Sequence, residues 1–243
     1  MTSSATRTSQ NVAAGGPIAG RSPLAQLLHA LNQPLTGLQC SMEVALATPR
    51  TPDQYVRGLR EGLELTERMR ALVEAIREVT DLEEEQKQTK DEKRETTELK
   101  TVLQETLDDL APVAEVKNVR VAFNCSAASP LAVRAERRRM AGTVFRFLES
   151  ALSLAARGTV LLIETGEAET GGAETGSATG QAWFRVRWHM GRPASSFTGP
   201  ELGLMVAQAG LEHTGAVWER ERAETLETVT VRLPSATENG RHS

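Results

Sequence analysis

The sequence contains little cysteine, no long apolar run and no excess of positive charge, and each of these shortages excludes a class of protein. Its two cysteines, Cys40 and Cys125, are too few for a disulfide framework. There is no run of about 18 apolar residues that could cross a membrane, and no leader of charged and then apolar residues. The formal net charge is -4, and Lys and Arg are interspersed with acids, which argues against binding to nucleic acid. We therefore expect a cytoplasmic protein whose partners include neither a membrane nor nucleic acid.

Length and composition predict two domains between polar tails. A chain of 243 residues is long enough for one large domain or two modest ones, and we expect two. Residues 1–21 are rich in Ser, Thr, Ala and Gly, so we expect a disordered tail. The boundaries predicted for the rest are a helical hairpin at 22–82, a charged helical extension or linker at 83–98, a second domain at 99–234 and a disordered tail at 235–243.

Heptad spacing predicts two long helices in the first domain. Ser22-Pro23 is typical of a helix start and Thr48-Pro49 of a helix end, and a second helix begins near Gln54. Apolar residues recur at alternating steps of four and three in both helices: Leu24, Leu28, Leu31, Leu35, Leu38, Met42 and Ala45, then Leu65, Met69, Leu72, Ile76 and Val79. Because one hairpin leaves much of both stripes exposed to water, we expect two copies to form a four-helix bundle, as a homodimer.

From residue 99 onward, helical and strand periods alternate, which predicts an α+β fold. A nearly repeating segment rich in Gly, Thr and Glu, at 166–180, predicts a flexible loop between two strands. Helices and strands in this order form an α/β sandwich. Helical spacing is found at 99–110, 144–155 and 202–212, and strand alternation at 118–124, 159–164, 183–188, 217–221 and 228–233.

One histidine lies beside the first apolar stripe. Pro34, one turn further on, removes the hydrogen bond to the carbonyl of residue 30 and is expected to bend the helix. At helical spacing, His29 has neighbours that form a polar flank, so the imidazole should reach solvent: Asn32, Gln33, Thr36 and Cys40. The alternative to a functional site is that His29 is simply an exposed histidine on a bundle helix that a proline kinks.

The segment His29-Ala30-Leu31-Asn32-Gln33-Pro34-Leu35-Thr36 resembles the phosphoacceptor box of two-component histidine kinases, in the subgroup that reads His-Glu-Leu-Asn-Gln-Pro-Leu. The resemblance implies that His29 is the phosphoacceptor and that Asn32 and Gln33 lie beside it in the site. The segment departs from the family at Ala30, where the family has an acid that helps the imidazole to attack the phosphate of ATP. The loss of this acid argues against autophosphorylation.

The second domain resembles the GHKL-type ATP-binding domain of the same kinases, so the resemblance covers residues 22–234. In the family, an asparagine within a pattern like Asn-Leu-Leu-Glu-Asn-Ala-Leu holds magnesium, and here Arg146 and Ser150 stand at the positions of the pattern's two asparagines. The family's Asp-x-Gly, whose carboxylate accepts a hydrogen bond from adenine, corresponds to His189-Met190-Gly191. A histidine cannot reproduce an acceptor-only carboxylate.

The glycine motif is better preserved. Gly199-Pro200-Glu201-Leu202-Gly203-Leu204 resembles the family's Gly-x-Gly-Leu-Gly-Leu, in which backbone amides cradle phosphates, and it keeps Gly199 and Gly203. Its middle glycine is replaced by Glu201, whose carboxylate would repel a triphosphate. The alternative is a helix start with a glycine at a tight packing contact. The lid that should separate Gly191 from Gly199 is nearly absent.

These departures favour a histidine phosphotransferase of the branch whose ATP domain is vestigial, a pseudokinase. His29 would accept a phosphoryl group from one response-regulator receiver domain and pass it to another in a phosphorelay, as the nucleophile. We expect no cofactor and no metal on this chain, because the receiver domain brings Mg²⁺ and ATP is not used. Two alternatives stay open: a non-catalytic dimeric scaffold that binds response regulators or kinases, and a divergent active histidine kinase.

Overall fold

The computed structural model describes five stretches of the chain, residues 22–88, 96–126, 131–169, 180–191 and 199–236. Several predicted features lie outside them: the tail at 1–21, the tail from residue 237 onward, the loop centre at 170–179 and the lid position at 192–198. Among the described residues, no helix is both long and apolar enough to span a membrane.

The first domain is the predicted hairpin of two helices, α1 (Pro23–Ala47) and α2 (Pro52–Gln88). Helix α1 ends where Thr48 precedes a proline, because that position disfavours helical geometry. At the start of α2, the Thr51 amide donates to Gln54 Oε1 at 3.0 Å and the Gln54 amide donates to Thr51 Oγ1 at 3.4 Å. This reciprocal pair is a capping box, which fixes the first turn of α2.

The second domain has the predicted α+β architecture. Five of its strands form one sheet in the order β2-β4-β5-β7-β6, in which only β2 and β4 are parallel neighbours. Helices α3, α4 and α5 pack on this sheet, and the main core lies between them and the strands. The elements are β1 (Thr96–Glu98), α3 (Leu99–Lys117), β2 (Arg120–Cys125), β3 (Ala132–Arg134), α4 (Arg137–Leu154), β4 (Val160–Glu169), β5 (Gly180–His189), α5 (Gly199–His213), β6 (Val217–Ala223) and β7 (Leu226–Pro234).

The charged segment predicted as an extension or linker at 83–98 contributes to both domains. It continues α2 as far as Gln88, and its last residues form β1, which pairs antiparallel with β3. In β1, Thr97 is buried and donates a hydrogen bond to the Ala135 carbonyl at 2.6 Å. Strands β1 and β3 are not predicted from the sequence, because three residues are too few to show a strand period.

Side-chain alternation along the strands builds the main core. Phe184, Val186 and Trp188 of β5 are fully buried, whereas the residues between them are only partly buried. In β7, Val229 and Val231 face the same core, and so does Glu227, which is 0% exposed. A carboxylate at a core-facing position needs buried partners.

A second apolar cluster joins the two domains. Helix α5 contributes Leu204 and Leu211 to the main core and its other apolar face to this second cluster. A helix that is apolar on two sides lies between two layers of structure. The buried members of the second cluster are Leu27 and Ala30 of α1, Leu72, Ala75 and Val79 of α2, and Leu202, Met205, Val206 and Ala209 of α5.

Candidate functional site

His29 lies on an exposed face of α1, together with the polar flank expected from the sequence. The side chains of His29, Asn32, Gln33, Thr36 and Cys40 are all exposed. Thr36 Oγ1 donates a hydrogen bond to the main-chain carbonyl of Asn32 at 2.9 Å, so it caps the backbone near the proline. The imidazole and the two side-chain amides therefore share one face that a second protein can reach.

The opposite side of the same helix turn is buried. Ala30, where the resemblance has an acid, is 1% exposed and belongs to the cluster between the two domains. A carboxylate at this position would lie among apolar side chains, which strongly disfavours its charged form. Packing against α5 thus gives a structural reason for alanine at position 30.

The predicted apolar stripe is only partly covered within one chain. In α1, Leu28, Leu35 and Met42 are 48, 52 and 56% exposed. In α2 the predicted stripe from Leu65 to Val79 is half-buried or buried, and the exposed leucines are two others, Leu59 and Leu63, at 70 and 65%. A row of exposed leucines at this spacing is typical of a helix surface that packs on another protein chain.

Two of the degenerate nucleotide positions meet between α4 and α5. Ser150 is buried, and a Cβ added at Gly203 would overlap the Ser150 hydroxyl oxygen. The helices are therefore in direct contact at the position where the resemblance has a magnesium ligand. Gly199 is the first residue of α5, and the space where its Cβ would lie is open.

A cleft of about 360 Å³ lies beside this contact, between α2, α4 and α5. Its wall carries the carboxylates of Glu74, Glu78 and Glu149 and the guanidinium of Arg146, which forms an ion pair with Glu78 of the hairpin. Three negative charges against one positive charge repel a polyphosphate. Within the described stretches, no group of three or more His, Cys, Asp or Glu side chains is placed to hold a metal ion.

The adenine-motif positions lie at the end of β5, and neither of them lines this cleft. His189 is exposed, and its Nδ1 lies 3.5 Å from Thr225 Oγ1. The Gly191 amide donates a hydrogen bond to the Leu154 carbonyl at 3.0 Å. The structure thus brings Ser150, Gly199 and Gly203 together and leaves the adenine-motif positions outside this group.

Four charged side chains connect the first turn of α5 to strands β6 and β7. Glu227 accepts hydrogen bonds from Nε of Arg220 at 2.5 Å and from Nε of Arg222 at 2.6 Å. Glu201 accepts a hydrogen bond from Arg220 at 3.1 Å and lies 3.7 Å from Arg222. Burial lowers the pKa of Arg220, but the two carboxylates raise it by more, so this pKa lies above its ordinary value. The Arg220 guanidinium therefore stays charged although it is largely buried.

This network lies next to the adenine motif as well as the glycine motif. Glu227 pairs with Trp188 in the sheet register, one residue before His189, and Glu201 holds the middle position of the glycine motif. The network thus joins the first turn of α5 to the β7 residue that pairs with β5 next to the adenine motif.

Glu201 and Arg146 are recognisable as substitutions in the sequence, but their partners are not. The available signal for the network is Glu227, a charge on the strand face that continues with Val229, Val231 and Leu233. A charge on that face requires a buried counter-charge. The partner of Arg146 lies in the other domain, and nothing local in the sequence points to it.

Comparisons with known proteins agree with the predicted fold. No protein-family model matches the sequence, and a search of the curated proteins found no match. Among solved structures, the chain is similar to the histidine kinase AdeS of Acinetobacter baumannii, at 15% identity and a TM-score of 0.51, over 86% of this chain and 98% of that one. It is also similar to full-length ShkA in complex with AMPPNP, at 17% identity and a TM-score of 0.50, over 90% of this chain and 47% of that one. A helical hairpin followed by an α/β domain is thus the fold of a two-component histidine kinase, and the predicted fold is confirmed.

Proposed function

We propose that this protein, which has a histidine-kinase fold, is a dimeric histidine phosphotransferase of two-component signalling. It exchanges a phosphoryl group between His29 and the aspartates of response-regulator receiver domains, and it does not use ATP. The observation that carries the proposal is a contrast between two sites. The face around His29 is open to solvent, whereas Ser150, Gly203 and Glu201, at the nucleotide positions, are held in contacts within the chain.

Transfer of a phosphoryl group from the aspartyl phosphate of a receiver requires only one nucleophile on this chain. A ring nitrogen of neutral His29 forms the new P–N bond with its lone pair, the P–O bond to aspartate breaks, and the aspartate leaves as a carboxylate. The reverse step passes the group to a second receiver. Magnesium and the acidic pocket belong to the receiver domain, so the exposed imidazole on α1 is sufficient.

Gln33 and Asn32 are the proposed positioning partners of His29. They follow it by four and three residues on the same exposed helix face, so their amides can reach a phosphoryl group or a water next to it. Gln33 should then influence how long the phosphoryl group survives, whereas its capture depends on His29.

Three features argue against ATP as the phosphoryl donor. The contact between Ser150 and Gly203 closes the space at the magnesium position. The neighbouring cleft carries more negative than positive charge. The positive N-terminal end of α5 is where a phosphate would bind. The carboxylate of Glu201, in the first turn, already interacts favourably with this end of the helix dipole.

Dimer formation through the hairpin is part of the proposal. The exposed leucines of α1 and α2 form a surface that a second copy would cover in a four-helix bundle. His29 follows Leu28, a member of this surface, but lies about 100° further around the helix, off the row of Leu28, Leu35 and Met42. Pairing would therefore leave a histidine accessible in each copy.

A receiver domain phosphorylated with acetyl phosphate is the probe for this function. The full chain is mixed with radiolabelled phosphoreceivers from the same cell, and label on the chain is followed after electrophoresis. The test variant is His29→Gln, and the matched control is His189→Gln, another exposed histidine in the second domain.

Wild type and His189→Gln should gain acid-labile label within minutes, and His29→Gln should gain none. Gln33→Ala should be labelled like wild type but change the rate at which the receiver loses phosphate. If His29→Gln is labelled, or if wild type is labelled by no receiver, the phosphotransferase proposal fails. A scaffold that binds receivers would then be the better explanation.

A further inference from the structure

Helix α5 holds the second domain against the hairpin next to His29. Its residues Leu202, Met205, Val206 and Ala209 are 4–6% exposed and pack on α1 and α2. On α1 the contact covers Leu27 and Ala30, the residues two before and one after His29 in the sequence. The domain interface therefore borders the proposed phosphoacceptor directly.

An ion pair continues this interface at its edge. Arg146 of α4 pairs with Glu78 of α2, and both side chains are partly exposed, 42 and 44%. The resemblance has an asparagine of the magnesium-binding pattern at position 146 and an acid at position 30. Both positions are occupied here by residues that contact the other domain.

A nucleotide-dependent kinase domain has to occupy two positions. It must bring the terminal phosphate of ATP within bonding distance of the histidine, and it must then leave room for a receiver. A domain attached to the hairpin by its own nucleotide-side helix cannot do both. The network around Glu227 attaches the first turn of that helix to β6 and β7 through side chains of the chain itself.

We infer that the second domain is a fixed clamp on the hairpin, held by the apolar face of α5 and by the Arg146–Glu78 pair, and independent of nucleotide. The clamp covers the Ala30 side of α1 and leaves the His29 side open. Receiver domains therefore meet a preformed surface that contains both domains, and no domain movement precedes their docking.

Hydrogen exchange followed by mass spectrometry on the full chain tests the clamp. Arg146→Glu adds a carboxylate beside Glu74, Glu78 and Glu149, and Glu78→Arg places two guanidinium groups together. The double charge swap restores an attractive pair. The matched control is Arg137→Glu, which lies on the same helix but pairs with Glu105 of α3, inside the second domain.

Each single reversal should speed exchange about fivefold in α5 and in residues 71–80, as expected for loss of a partly exposed ion pair. The double swap should return exchange to the wild-type rate, and Arg137→Glu should not affect these segments. Peptides from β4 and β5 report whether a variant has merely unfolded. Adding Mg-ATP to the wild type should change nothing.

Three results would overturn the clamp. They are wild-type exchange in both single reversals, fast exchange in the double swap, and a change in interface exchange on adding Mg-ATP. Met205→Asp, which buries a charge in the apolar contact, is a second variant and must also speed exchange in residues 71–80. No receiver is present, so the outcome does not depend on whether His29 carries a phosphoryl group.

Discussion

Replacement of Glu227 by glutamine should destabilise the second domain strongly, although the two side chains have nearly the same shape. The Glu227 side chain is 1% exposed and accepts hydrogen bonds from two guanidinium groups, whose side chains are 28 and 52% exposed. A neutral glutamine leaves the two guanidinium groups with one carboxylate in this network, that of Glu201. Removing one partner of a buried ion pair costs about 3–5 kcal/mol.

The lower end of this range applies here, because Arg222 is half exposed and Glu201 still pairs with both arginines. A loss of about 3 kcal/mol lowers the melting temperature by about 6–12 °C in a protein of this size. The control is Glu219→Gln, since Glu219 pairs with Arg232 on the same hairpin but is 45% exposed. That pair is worth at most about 1 kcal/mol.

Tryptophan fluorescence during heating measures this effect, because Trp183, Trp188 and Trp218 all lie in the sheet of the second domain and the chain has no other tryptophan. The Glu227→Gln transition should fall well below that of Glu219→Gln. Equal melting temperatures for the two variants would refute the view that the buried network holds this domain together.

Three further predictions concern packing, assembly and nucleotide. Gly203→Ala should cost about 1–3 kcal/mol through overlap with Ser150; in a Ser150→Ala background the cost should largely disappear, and equal melting shifts in both backgrounds would contradict the contact. Light scattering should find twice the mass of one chain for wild type and the mass of one chain for Leu59→Asp/Leu63→Asp, because the new charges lie on the exposed stripe; a monomeric wild type at micromolar concentration excludes the dimer. Calorimetric titration with Mg-ATP should give no binding heat, and a micromolar, magnesium-dependent dissociation constant would show that the nucleotide site is intact.

Features that depend on local periodicity could be predicted from the sequence. The hairpin and the order of helices and strands follow from periods of 3.5 and 2, which are visible within a dozen residues. The exposure of His29, Asn32 and Gln33 follows from the same helical spacing.

Features that depend on the partner of a surface could not be predicted in this way. Helix α5 is apolar on most of its circumference, which indicates that it is buried on two sides. The sequence pattern does not show that the second side packs on α1 and α2. The pairing of Glu227 with Arg220 requires the register of β6 on β7. The Arg146–Glu78 pair joins residues of different domains, 68 positions apart.

The most direct test of the central claim compares two phosphoryl donors acting on the same histidine. The full chain is incubated either with Mg-ATP or with phosphorylated receiver domains, and intact-mass spectrometry counts the phosphoryl groups added. We expect one acid-labile phosphoryl group per chain from the receiver, none from ATP, and none from either donor in His29→Gln. A phosphoryl group gained from ATP on His29, or none gained from any receiver, would contradict it.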